Sequence, residues 1–239
     1  MSELNNITNK DLFGADACGQ IEPLVMRQPK QDLFGNIVIK SIGYNETEMI
    51  ENILHLHSTN DKIDLDPTYS IGNFYKNGLQ KPKYKFDKYP QCEGVVEADA
   101  SCLPLGDNEI ETIMFDPPFI FRDRPSENTD KMAKRFTHFQ TFKDLLDMYK
   151  NSLVEFYRIL KPKGIVIFKC QDMTDDKNYF THCKVLEIAE QIGFRGKDLF
   201  ILLAKARLMD SNLQQRHARK FHSYFWVLQK VQVQNRLSA

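Results

Sequence analysis

A chain of 239 residues, 42% hydrophobic and 27% charged, has the composition of an ordinary soluble globular protein and the length to bury a substantial core. Thirty-two Lys and Arg balance thirty-two Asp and Glu, which excludes a uniformly basic nucleic-acid binder and requires any phosphate-binding charge to be local. No apolar run is long enough for a bilayer and no signal-peptide pattern opens the chain. Cys18, Cys92, Cys102, Cys170 and Cys183 include no Cys-x-x-Cys pair. Neither a zinc site nor a disulfide framework is expected, and a reducing cytoplasm suits such usage.

The first forty residues carry little pattern. Asp-Leu-Phe-Gly occurs twice, at 11–14 and 32–35, and reads as coincidence inside an N-terminal arm. Asn36–Lys40 reads as a short strand. A helix over Thr47–His57 follows from the spacing of Met49, Ile50, Ile53, Leu54 and Leu56, with Asn45 or Thr47 as its cap. Short strands are then predicted at Lys62–Asp66, Tyr84–Asp87, Gly94–Asp99 and Ile110–Phe115. The interval from Asp66 to Asp87 is short and contains Pro82, so its helix should be stunted or irregular. A polar loop spans 122–134. A helix over Thr141–Leu160 leads through a Pro162–Gly164 turn into a buried strand, Ile165–Lys169. The helix over His182–Ile192 is stopped by Gly193. Asp198–Leu203 and His222–Gln229 read as two last strands, an antiparallel pair at the sheet edge, with Trp226 in the core.

Alternation of strands and helices predicts an α/β fold with a mostly parallel central sheet. Ligands in such folds bind beyond the carboxyl ends of the strands, and Asp66, Asp87, Asp99 and Asp116 each close one. Asp116-Pro117-Pro118-Phe119 suits the chemistry of a conjugated exocyclic amine, which is a poor nucleophile because its lone pair is delocalised. The Asp116 carboxylate and the Pro117 carbonyl can accept from both amine protons, drawing the nitrogen toward tetrahedral geometry. The prolines stiffen the loop and leave its carbonyls without local competitors. Phe119 offers a face for an extruded base.

From about Ile63 to Lys230 the chain resembles the class I S-adenosylmethionine-dependent DNA amino-methyltransferases, the N6-adenine and N4-cytosine group, on these motifs in order. The resemblance implies a Rossmann-like fold with helices on both faces and an antiparallel last strand. It implies a catalytic Asp116, Pro117, Pro118 and Phe119. It assigns S-adenosyl-L-methionine to the loop Asp66, Pro67, Thr68, Tyr69, Ser70 and Gly72, to Asp87 for the ribose hydroxyls, to Asp99 and Ala100 near the adenine, and to Asp116. The family loop often reads Asp-Pro-Phe-x-Gly-x-Gly; here Thr68 and Ser70 stand for the Phe and first Gly. Arg158–Gly164 and Arg219–Trp226 match further family segments.

The division expected is an arm at 1–46 and a catalytic domain at 47–239. Arg122, Arg124 and Arg135 in the polar loop, and Arg216, Arg219 and Lys220 before the last strand, are candidate substrate contacts. Phe136 and Phe139 read as core before cofactor. The six histidines show no His-x-x-x-His spacing, so no metal is expected. Little material remains for reading base edges. The partner expected is therefore nucleic acid, DNA before RNA, with a short or single-stranded target, a homodimer or a separate recognition subunit, in the cytoplasm of a bacterium or phage-infected host. The resemblance implies methylation of adenine N6 in DNA. The alternatives are an RNA base amino-methyltransferase and a non-catalytic binding subunit, the latter motivated by Ser70.

Overall fold

A computed structural model describes residues 38–121, 139–174, 177–204 and 216–231. Two compact units divide the chain, Met1–Ile39 and Lys40–Ala239, and the second carries everything below. The paired Asp-Leu-Phe-Gly segments, the polar loop and Phe136 lie outside the described residues.

Its strands are β1 (Ile42–Gly43), β2 (Leu65–Asp66), β3 (Tyr84–Asp87), β4 (Val96–Glu97), β5 (Ile110–Phe115), β6 (Leu160–Cys170), β7 (Met173–Thr174), β8 (Asn178–Tyr179), β9 (Phe194–Leu203) and β10 (His222–Lys230). The helices are α1 (Glu46–His57), α2 (Phe142–Ile159) and α3 (Thr181–Ile192). All strands but β7 and β8, which form a small hairpin, join one eight-stranded sheet in the order β1-β9-β10-β6-β5-β2-β3-β4. Every pairing in it is parallel except those of β10, which is antiparallel to both β6 and β9. The expected Rossmann-like α/β architecture, mostly parallel with an antiparallel last strand, is the one observed.

Three expectations are corrected. The last strand is not at the edge: β10 inserts between β6 and β9, and β1 forms that edge. Val38–Lys40 carry no regular secondary structure, and pairing is made instead by Ile42–Gly43 on Ile201–Leu202. Pro162–Gly164 is not a turn before the strand but an irregularity within β6, where pairing with β5 steps from Ile110↔Leu160 to Thr112↔Ile165. Gly164 is needed there, because a Cβ would sit 2.9 Å from the carbonyl oxygens of Glu111 and Lys161.

Local chemistry explains the helices. Asn45 caps α1 by accepting from the Glu48 N–H. Thr141 and Asp144 form a reciprocal capping box at α2. Gly193 closes α3 at φ +119°. The interval after β2 holds only a 3-10 turn, Asn73–Asn77, the stunted element expected.

The α2 and α3 face buries Leu145, Tyr149, Leu153, Phe156, Val185 and Ala189 against alternate sheet residues, among them Phe115, Val166, Phe168 and Leu228. The intervening residues, such as Ile167, Phe200 and Phe225, are buried on the opposite face. There α1 packs, with His57 edge-on to Phe200. Helices therefore cover both faces. Trp226, expected in the core, is only partly buried, and its Nε1 donates to the His182 carbonyl at 2.9 Å.

Candidate active site at the carboxyl edge of the sheet

Asp66 and Asp87 are the last residues of β2 and β3, Asp116 follows β5, and Asp99 lies just past β4. Because these strands run parallel, all four acids gather along one edge of the sheet.

Asp66 is 1% exposed. Its Oδ1 accepts from the Thr68 N–H and hydroxyl at 2.9 and 3.2 Å, and its Oδ2 accepts from the Tyr75 hydroxyl at 2.8 Å. Burial lifts its carboxyl to about 7, against the pull of the Thr68 and Tyr75 hydrogen bonds, and nearby Asp116 adds to the rise. The folded chain thus holds this proton more tightly than the unfolded one. Its contribution to stability is complete below about pH 4 and is lost as pH rises through about 7. Asp66→Asn should flatten the dependence of the urea midpoint between those values and raise stability at pH 8, by on the order of a few kcal/mol.

The loop after Asp66 is held tightly. Ser70 adopts a left-handed φ of 50°, costly for a residue with a Cβ, and its N–H donates to Asp87 Oδ2 at 2.8 Å. Gly72 has φ +68°, and a Cβ there would lie 2.6 Å from the Tyr69 hydroxyl. Tyr69 stacks on Tyr75 at 5.3 Å. Gly72→Ala should therefore push Tyr69 off Tyr75 and destabilise the protein by roughly 1–3 kcal/mol, read as a lowered Tm.

Asp87 Oδ1 accepts from the Tyr89 N–H at 2.8 Å, so each of its oxygens holds one backbone donor. Asp99 Oδ1 accepts from Ser101 N–H and Oγ, and its Oδ2 pairs with Lys88 at 2.9 Å. The Ser101 N–H, with its hydroxyl and Lys88, holds the Asp99 carboxyl down near 2. Ala100 beside it is partly buried.

Thr68 joins the two halves of the site: its hydroxyl, which donates to Asp66, also accepts from the Asp116 N–H at 3.0 Å. Burial pushes the Asp116 carboxyl up, Lys169 opposes the rise, and Glu46 adds to it. Lys169, on β6, has its Nζ 3.4 Å from Asp116 Oδ2 and 2.9 Å from Glu46 Oε1. Burial works against its charge, but Asp116 and Glu46 outweigh that and hold the ammonium above its ordinary range.

One detail of the tetrapeptide differs from expectation. The Pro118 carbonyl is not left without a partner, because the buried Tyr149 hydroxyl of α2 donates to it at 2.9 Å. No described residue donates to the Pro117 carbonyl. Phe119 is partly exposed. Lys169 and Tyr149 were not singled out from the sequence; a lone lysine closing the apolar run Ile165–Phe168 was the available signal for the first. Arg158 proves structural: it binds Glu155, Asp107 and the Leu105 carbonyl, fixing the loop before β5.

Arg216 and Arg219 are exposed and Lys220 is partly buried, all leading into β10, with Lys220 Nζ 5.8 Å over the Phe180 ring. Arg122, Arg124 and Arg135 lie outside the described residues. Phe139 is partly buried and bridges to Phe121. Among the described residues no group of three His, Cys, Asp or Glu is placed to hold a metal. No described helix is long and apolar enough to cross a membrane.

No protein-family model matches the chain, and no curated protein does. Solved structures do. A Thermus thermophilus candidate DNA modification methylase aligns at 13% identity over 56% of this chain and 50% of its own, with TM-score 0.39. This chain therefore spans about half the length of that protein. A Haloferax volcanii candidate methyltransferase, solved with the Trm112 methyltransferase activator, aligns at 11% identity over 80% of this chain and 91% of its own, with TM-score 0.48. The 1,6-didemethyltoxoflavin-N1-methyltransferase of Burkholderia thailandensis aligns at 14% identity over 78% and 79%, also at 0.48. The functional reading rests on this chain's own residues.

Proposed function

We propose that the chain is an S-adenosylmethionine-dependent methyltransferase acting on the exocyclic amine of a nucleic-acid base, N6 of adenine in DNA. The observation that carries this reading is the Asp116-Pro117-Pro118-Phe119 segment at the carboxyl end of β5, tied through Thr68 to the loop after β2.

The residues fit the cofactor. Each Asp87 oxygen keeps acceptor capacity beyond its one backbone donor, which suits sugar hydroxyls. Gly72, where a side chain would collide with Tyr69, lets the loop fold back on that ring and keeps its bend. The left-handed Ser70 gives the loop a bend of the kind glycine would adopt, so this departure from the family pattern is no argument for a non-catalytic scaffold. Asp99 supplies acid at the same edge, while Asp66, buried and bonded to Thr68 and Tyr75, shapes the loop from beneath. When bound, S-adenosylmethionine supplies an activated methyl group on a sulfonium.

The protein's part is positioning and electrostatics. Asp116 and the Pro117 carbonyl accept the two amine N–H groups and turn the lone pair out of the ring. Tyr149 holds Pro118, and with it the loop, in place. Lys169 sets the charge balance at Asp116 and keeps its carboxylate aimed. The raised Asp116 carboxyl is also a better proton acceptor than an ordinary carboxylate. Phe119 stacks on the base. Arg216, Arg219 and Lys220 meet phosphates, an electrostatic term that weakens with added salt.

Calorimetry with S-adenosylmethionine tests the first half of the proposal. Competition among duplex DNA, single-stranded DNA and RNA in a labelled-methyl assay tests the second. Absence of cofactor binding refutes the enzyme reading, and label confined to RNA refutes the choice of DNA.

A further inference from the structure

The Lys169 ammonium is shared between two carboxylates. It lies 2.9 Å from Glu46 Oε1 and 3.4 Å from Asp116 Oδ2, with the Phe74 ring centre 4.8 Å and the Phe225 ring centre 5.7 Å away. One cation therefore joins the first residue of α1, the 3-10 turn after β2 and the residue that follows β5. Its side chain is 19% exposed, so its charge acts on both partners more strongly than it would in open water.

The sharing is unequal. An ammonium–carboxylate hydrogen bond is strongest at about 2.7–2.9 Å; Glu46 makes that contact and Asp116 the longer one. Among the described residues the Asp116 carboxylate has no other donor. Glu46 opens α1, where a negative charge stabilises the helix. Without it the ammonium would be free to close fully on Asp116. A carboxylate locked in a tight ion pair has less charge to offer an amine.

We propose that Glu46 is a positioning residue of the methyl-transfer site, drawing the Lys169 ammonium to itself and so leaving the Asp116 carboxylate open to the amine. This rests on the amine-methylating reading above and adds to it a second carboxylate, on α1. The groups that bear on Asp116 come from four elements: Lys169 and Cys170 on β6, Glu46 on α1, Tyr149 on α2 and Asp66 at the end of β2. Burial pushes the Tyr149 hydroxyl and the Cys170 thiol well up, so both stay neutral. Asp66 gains charge as pH rises through about 7, and does so in every variant below. Beyond the effect of burial, Lys169 lowers the Asp116 carboxyl and Glu46 raises it. Removing the two therefore has opposite signs.

Glu46→Gln keeps the shape of the side chain and removes its charge. In the full chain, the low-pH limb of the kcat profile should move down by roughly half a unit to one unit, and the plateau above it should fall roughly 3- to 10-fold. Glu46→Asp returns the charge and should recover most of both. Lys169→Met should move the limb up. The Asp116 carboxyl carbon, followed by NMR in aspartate-labelled protein and assigned by its loss in Asp116→Asn, should titrate in the same order without turnover. A limb and a carboxyl signal unmoved in Glu46→Gln, or Glu46→Asp as impaired as Glu46→Gln, overturns the proposal and leaves Glu46 a helix-start residue. A wild type that methylates no base, while the carboxyl signals keep the expected order, overturns the reading of the site and with it the role of Glu46 in transfer.

Discussion

Asp116→Ala should lower methyl transfer by roughly 100- to 1000-fold or more, the loss usual when one preorganised group that stabilises developing charge is removed. Fold stability should not fall with it. Burial disfavours the ionised Asp116 carboxyl, so its removal relieves a cost, and Lys169 keeps Glu46 at 2.9 Å as a partner. The variant should therefore unfold at no lower a temperature, with the defect confined to the site. Asp116→Asn retains one acceptor oxygen and should fall between the two proteins. A stability loss matching the activity loss would show Asp116 to be a structural residue, contrary to the mechanism proposed.

The largest effect on stability is expected one residue earlier. Phe115 is fully buried, with its ring edge-on to Phe156 at 4.8 Å and to Phe168 at 5.0 Å. Truncation to alanine removes the side chain and opens a cavity between α2 and β6, at a cost of about 3–5 kcal/mol. Domains of this kind have roughly 5–15 kcal/mol in total, so Phe115→Ala should be marginally folded at 37 °C and show a sharply lowered urea midpoint. The same ring fixes the strand end from which Asp116 projects. Residual folded protein should therefore be impaired in transfer as well, and a variant as stable and active as wild type would contradict the packing described.

Elements with strong local signals were legible in the sequence. Tyr84–Asp87 and Ile110–Phe115 are strands over the expected bounds, because Tyr84 and Phe86 alternate with polar residues, Ile113–Phe115 are apolar, and an Asp marks each end. Gly193 closes α3 as its neighbours demand. The stunted unit after Asp66 followed from chain length alone. What the residues did not reveal is long-range. The place of β10 inside the sheet depends on which strands it pairs with, a property absent from its own alternation. The two-residue strand β1 and the β7–β8 hairpin are too short to carry a period. At the site, the strand-end acids were visible as residue types. That Thr68 links Asp66 to Asp116 and that Tyr149 takes the Pro118 carbonyl are facts of distance. No spacing along the chain encodes them.

Transfer of a labelled methyl group reads the proposed chemistry itself. Wild-type protein would be incubated with labelled S-adenosylmethionine and duplex or single-stranded DNA, and the nucleosides then identified by mass. N6-methyladenine from DNA is the expected product. Wild-type protein that leaves every nucleoside unlabelled, under conditions where calorimetry shows the cofactor bound, would contradict it.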